Sequence, residues 1–143
     1  MHPVPEFTLL NALAAIGIAF LYISLSSLLR EPTRQQFNAI VIAGAGAAYL
    51  SNGLGYWEFL FCAILTWVAY RGLTSYRFIG LGWLLHTGWD LVHHVYAEPI
   101  VPFSPASSAG CAVCDTILAI WFWCGAPLVG EWIGRKKVIN ANT

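Results

Sequence analysis

Five apolar segments, each close to the length of a bilayer crossing, follow one another along this chain with few charges inside them. Phe7 to Leu29 holds no Lys, Arg, Asp or Glu, and Asn11 is its only strongly polar residue. The others run from about Gln36 to Leu54, Tyr56 to Leu73, Arg77 to Ala97 and Cys111 to Gly134. A hydrocarbon core of roughly 30 Å needs about 20 apolar residues as helix. No alternating segments of the barrel type occur. The expected fold is therefore an all-α membrane protein, a five-transmembrane-helix bundle forming a single domain over residues 1–143. Composition points the same way: 58% of residues are hydrophobic, and only seven basic and seven acidic residues are spread over 143. A soluble domain carries roughly 25% charged residues. An ordinary cytosolic domain and a disordered tail are excluded. So is a nucleic-acid partner, because the net charge is zero and no basic surface is available for phosphates.

Charge placement orients the bundle. Five spans put Arg30 and Arg34, Arg71 and Arg77, and Arg135, Lys136 and Lys137 on one side, which the positive-inside rule makes cytoplasmic. The N-terminus is then outside and the C-terminus inside, in a multi-pass protein of a bacterial inner membrane. The arginines follow the first apolar run instead of preceding it, so this run reads as a retained span and not as a signal peptide. Residues 98–110 contain Pro99, Pro102 and Pro105 and are expected to form a non-helical outer loop. The run Ala43-Gly44-Ala45-Gly46-Ala47-Ala48 suits close packing, here against a second copy or a larger membrane complex.

The polar residues inside the spans are clustered. Along the fourth span His86, Asp90, His93 and His94 share an arc of about 100° at 100° per residue. The fifth span opens with Cys111, Cys114 and Asp115, and the third with Glu58. Ionisable groups in a bilayer are expensive and each needs a partner or a purpose. Imidazole and carboxylate at i, i+4 on one helix face suit a divalent ion, zinc or iron, with His86, Asp90, His93 and His94 as ligands. Asp115 and Glu58 are the catalytic candidates, as partners of a metal-bound water or as acid and base. The substrate expected in the outer leaflet is apolar: a lipid, an isoprenoid or a quinone. Trp83, Trp89 and Trp121 are candidates for lining its pocket, although for Trp57, Trp123 and these three an interfacial belt is the stronger reading. The bland alternative is a polar clamp, in which Asp90 pairs across helices, Asp115 caps its own helix and Glu58 faces water at a helix start.

Two other function classes remain open. Cys111-x-x-Cys114 at a helix N-terminus suits thiol redox chemistry. Its placement is similar to quinone-linked oxidoreductases of the vitamin K epoxide reductase type, whose second outer cysteine pair this chain lacks. A non-catalytic accessory subunit that holds a pigment or haem through a histidine is the other class.

The pattern His86-Thr87-Gly88-Trp89-Asp90 with His93-His94, then Ser107-Ser108-Ala109-Gly110-Cys111 and Cys114-Asp115, resembles a family of small bacterial integral membrane proteins of unknown function. The resemblance implies that the fourth span, the Pro-rich loop and the start of the fifth act as one unit. It implies no substrate or cofactor. A fainter similarity to sterol isomerases of the emopamil-binding type rests on one His-x-x-x-acid pair and carries nothing over.

Overall fold

The computed structural model describes residues 4–50 and 53–130. Each helix begins and ends for a local reason. Helix α1 (Leu9–Ser26) starts at a reciprocal cap, in which Thr8 Oγ1 accepts the Asn11 N–H and Asn11 Oδ1 accepts the Thr8 N–H. Helix α2 (Thr33–Ala47) follows Pro32, which occupies its cap position. Helix α3 (Tyr56–Gly72) follows Gly53 and Gly55, both with positive φ. Helix α4 (Tyr76–Tyr96) is the longest, and α5 (Ser107–Trp123) completes the set. No strand occurs among the described residues.

Two boundaries differ from the sequence expectation. The segment expected from Gln36 to Leu54 starts earlier and stops at Ala47, where the Ala48 and Leu50 N–H groups close tight turns on the Ala45 and Ala47 carbonyls. These turns carry Tyr49 into the interior, where it is 1% exposed. The segment expected from Cys111 to Gly134 begins at Ser107 and breaks after Trp123. The break is a Schellman motif: Gly125 takes φ +86°, its N–H bonds Phe122 O, and the Ala126 N–H bonds Trp121 O. Pro127 then bars continuation. The expected span end beyond Gly130, with Arg135, Lys136 and Lys137, lies outside the described residues.

Helix α4 is the centre of the bundle, packed on α5, α3 and α2, while α1 packs on α5. Its closest approach is to α5: a Cβ on Gly80 would lie 2.9 Å from both Ala119 O and Trp123 N. Part of the small-residue run of α2, expected to serve a partner, is used internally, while Gly44, Ala47 and Ala48 are exposed. A Cβ on Gly46 would meet Leu65 at 2.7 Å, and Ala39 and Ala45 join the core. Ile42, Leu65, Ile79, Leu118 and Phe122 form the centre of that core.

Several polar side chains are buried beside the apolar core. Asn38, Glu58, His86, Asp90, His93, Ser108 and Asp115 are buried, while large apolar side chains cover the outside of α1, α3 and α4. By length and composition Leu9–Ser26 is the one described helix apolar enough to cross a membrane, and Ser107–Trp123 is a shorter apolar helix. Helix α4 has the length, but its inward polar residues lower its mean hydropathy.

The two ends of the bundle differ. At one end Gln35 donates to Gly72 O, and Arg34 Nε reaches Glu31 Oε1 at 2.7 Å and the Tyr76 hydroxyl at 3.0 Å. These contacts bring the α1–α2 and α3–α4 turns together, and with them Arg30, Arg34, Arg71 and Arg77. A little deeper, Asn38 accepts from the Tyr22 hydroxyl and donates to Ser26 Oγ, tying α1 to α2. Glu58, Asp90 and Asp115 belong to the other half.

Gly80→Ala is expected to lower thermal stability by about 1–3 kcal/mol, because backbone atoms cannot move aside for the new methyl group. Gly88→Ala meets open space and is expected to be neutral or stabilising. Equal effects in thermal melts would contradict the close α4–α5 crossing.

The basic end carries a pH signature. Burial pushes the Glu31 carboxyl up, but the Tyr76 hydroxyl and the Arg34 guanidinium outweigh it and hold the group below its ordinary value of 4.5. A lowered folded-state value stabilises the fold above the ordinary value, and the contribution is lost as pH falls through the folded value. The stability difference between wild type and Glu31→Gln should be full above pH 4.5 and should close as pH drops below it. A difference that persists unchanged into acid would contradict this pairing.

Candidate metal centre

Three buried side chains from two helices meet at one point. On α4, His86 and Asp90 lie one turn apart and face α5, where Asp115 stands two turns inside the helix. His86 Nδ1 is 2.7 Å from Asp115 Oδ2 and 3.3 Å from Asp90 Oδ2. The exposures of His86, Asp90 and Asp115 are 3%, 0% and 4%. One ligand atom from each lies within 4.8 Å of the others.

Neighbouring groups fix the orientation of this trio. His86 Nε2 contacts Ala45 O at 3.0 Å. A carbonyl only accepts, so Nε2 carries the hydrogen and Nδ1 is the atom presented to the carboxylates. The Tyr49 hydroxyl donates to Asp90 Oδ1 at 2.6 Å. Among the described residues Asp90 Oδ2 makes no hydrogen bond; at 3.3 Å it stands beside Nδ1, which is directed at Asp115. Tyr49 and Ala45 both come from the end of α2, so three helices build the centre.

Its charge is unbalanced. Two carboxylates face one imidazole, and among the described residues neither Asp pairs with an arginine. Arg77, the nearest basic residue on α4, is nine positions from His86, a rise of about 13 Å. A protonated His86 leaves one negative charge, whereas a divalent ion on a neutral His86 leaves none. The donor set of one nitrogen and two carboxylate oxygens suits zinc, iron or manganese.

The other site candidates fall into separate places. His93 is fully buried and does not join the trio. Its Nδ1 donates to Trp89 O at 3.1 Å, its ring stacks on Tyr49 with centroids 3.9 Å apart, and its Nε2 lies 3.8 Å from Glu58 Oε1. Glu58, expected to face water, is 2% exposed and accepts the Leu54 N–H at 2.8 Å. His94 is half-buried and joins neither group. Asp115 does not cap its helix, because α5 starts eight residues earlier at Ser107. For the same reason Cys111 and Cys114 lie beyond the first turn, away from the free N–H groups that activate a helix-terminal thiol. Both are free thiols on the α5 stretch that ends in Asp115.

The tryptophans are engaged in packing. Trp83 meets Tyr22 edge to face, Trp89 stacks on Phe61, and Trp121 Nε1 donates to Pro127 O. A groove lined by Ser24, Ser27, Leu28, Leu128, Val129 and Gly130 includes none of them. The Pro-rich loop folds back on α5: Ser108 and Ser107 Oγ accept the Ile100 and Val101 N–H groups.

Tyr49 and the Ala45 carbonyl were not apparent from sequence. A tyrosine near the end of an apolar run reads as an interfacial residue, and a backbone carbonyl carries no sequence signal. The polarity of Ser51-Asn52-Gly53 just after Tyr49 was the available hint that this end of α2 bends back.

No curated protein and no solved structure matches this chain. One family model matches residues 10–128, which takes in all five helices save Leu9 at the start of α1, and its description is "family of unknown function". The chain therefore belongs to that family, DUF6010.

Proposed function

We propose that this chain is a multi-pass membrane protein whose working centre is a divalent metal ion held by His86 Nδ1, Asp90 Oδ2 and Asp115 Oδ2. The observation that carries the reading is the pair of buried carboxylates sharing one imidazole, with no arginine at hand. A bound cation would compensate such a group in a dry interior. Three protein ligands leave a coordination position for water or a substrate oxygen, as in catalytic and not structural ions. The ion would supply Lewis acidity and an activated water there. The residues around it supply orientation: Ala45 O sets the His86 tautomer and the Tyr49 hydroxyl turns Asp90. Asp115 changes role in this reading, from catalytic partner to ligand.

The bilayer placement is supported by the apolar exterior. Leu10 is 76% exposed, Tyr56 92% and Leu91 50%, on three different helices. Soluble monomers rarely expose contiguous apolar patches of more than a few hundred Å². With Arg30, Arg34, Arg71 and Arg77 at the cytoplasmic end, the metal centre belongs to the outer half, with the N-terminus outside and the C-terminus inside. A substrate that reaches the site through the bilayer is apolar: a lipid, isoprenoid or quinone.

Titration of the purified, detergent-solubilised protein with Zn²⁺, Mn²⁺ or Co²⁺ should show one tight site. Asp90→Asn, Asp115→Asn and His86→Ala should abolish it, and Tyr49→Phe should weaken it about 10–100-fold. Binding that survives Asp115→Asn and Asp90→Asn in a folded protein would overturn the assignment.

A further inference from the structure

Beside the metal centre lies a second buried pair that it does not use. His93 is 0% exposed and Glu58 2%, on different helices, with His93 Nε2 and Glu58 Oε1 3.8 Å apart. His93 Nδ1 carries the hydrogen it donates to Trp89 O, so Nε2 presents a lone pair. Nε2 makes no hydrogen bond among the described residues. A buried lone pair facing a buried carboxylate is a cation-ligating arrangement.

Its position gives it a purpose. His93 is seven residues beyond His86 on α4, about 10 Å nearer the end of that helix. Glu58 is in the first turn of α3 and holds Leu54 N–H of the α2–α3 connection. Tyr49 stands between the two polar groups: its hydroxyl bonds Asp90 and its ring stacks on His93. Polar side chains thus form a ladder from the connection at Leu54 through Glu58, His93, Tyr49 and Asp90 to His86 and Asp115. The other buried polar side chains are Ser108 at the start of α5 and, towards the basic end, Ser26, Arg34 and Asn38.

We infer that Glu58 and His93 form an outer station through which the divalent ion enters and leaves the centre. This rests on the metal reading given above. The station binds the ion in passing, with two ligands where the centre has three. A hydrated ion would otherwise have to cross packed apolar side chains, where its desolvation is not compensated. A group that acts only on the route changes entry and exit together and leaves the equilibrium untouched.

The test is stopped-flow binding of Co²⁺ to the purified protein, followed by the ion's visible absorption. The variants are Glu58→Gln, which keeps an oxygen for Leu54 N–H, and His93→Gln as an independent second. In either variant, association and dissociation rates should both fall about tenfold or more while Kd stays within about threefold. Unchanged rates in a folded variant would overturn the inference, as would a weakened Kd with an unchanged association rate. Wild-type protein that takes up no Co²⁺ would overturn the metal reading itself, and the station with it. Uptake by wild type with unaltered rates in both variants would overturn the station alone.

Discussion

The contact on which this molecule depends is the junction of Asp115, His86 and Asp90. It places two carboxylates and one imidazole where water does not reach, and the remaining architecture serves to make that tolerable. Helices α4 and α5 approach closely because Gly80 removes the side chain at their crossing, which lets Asp115 come within 2.7 Å of His86. Helix α2 ends early enough to turn Ala45 O and Tyr49 towards α4. Even so, the carboxylates outnumber the positive charge that the protein can offer. The divalent cation proposed above would resolve this imbalance.

The apolar exterior and polar interior are two sides of one constraint. Apolar side chains facing outward suit the bilayer placement proposed above, and polar groups facing inward need each other. Asn38 with Tyr22 and Ser26 shows how the protein satisfies such a group when no chemistry is asked of it: every polar atom has a partner. Asp90 Oδ2 and His93 Nε2 have none among the described residues.

Much of the fold was legible in the sequence because helical periodicity is local. The five helices appear where the apolar runs are, and the α4 cluster could be placed on one face from residue spacing alone. What spacing could not give was the partner. His86, Asp90, His93 and His94 share an arc, yet only two of them meet Asp115, because the choice is made by α5 and α2 and not by α4. Tyr49 was hidden for the same reason, since its role arises from a turn that pulls it back into the bundle. The end of α5 was misjudged because its Gly125-Ala126-Pro127 stop lies inside an apolar run, where hydropathy outweighs a three-residue signal. Glu58 was expected in water because it is charged and begins a helix; the neighbouring His93 overrides that position.

The most direct test is the metal content of the wild-type protein, purified from membranes without added metal or chelator and measured by elemental analysis beside Asp115→Asn. About one equivalent of zinc, iron or manganese per wild-type chain, absent from the variant, is the expected result. A folded wild-type protein with no metal, and none taken up from Zn²⁺, Mn²⁺ or Co²⁺ in the buffer, would contradict the central claim.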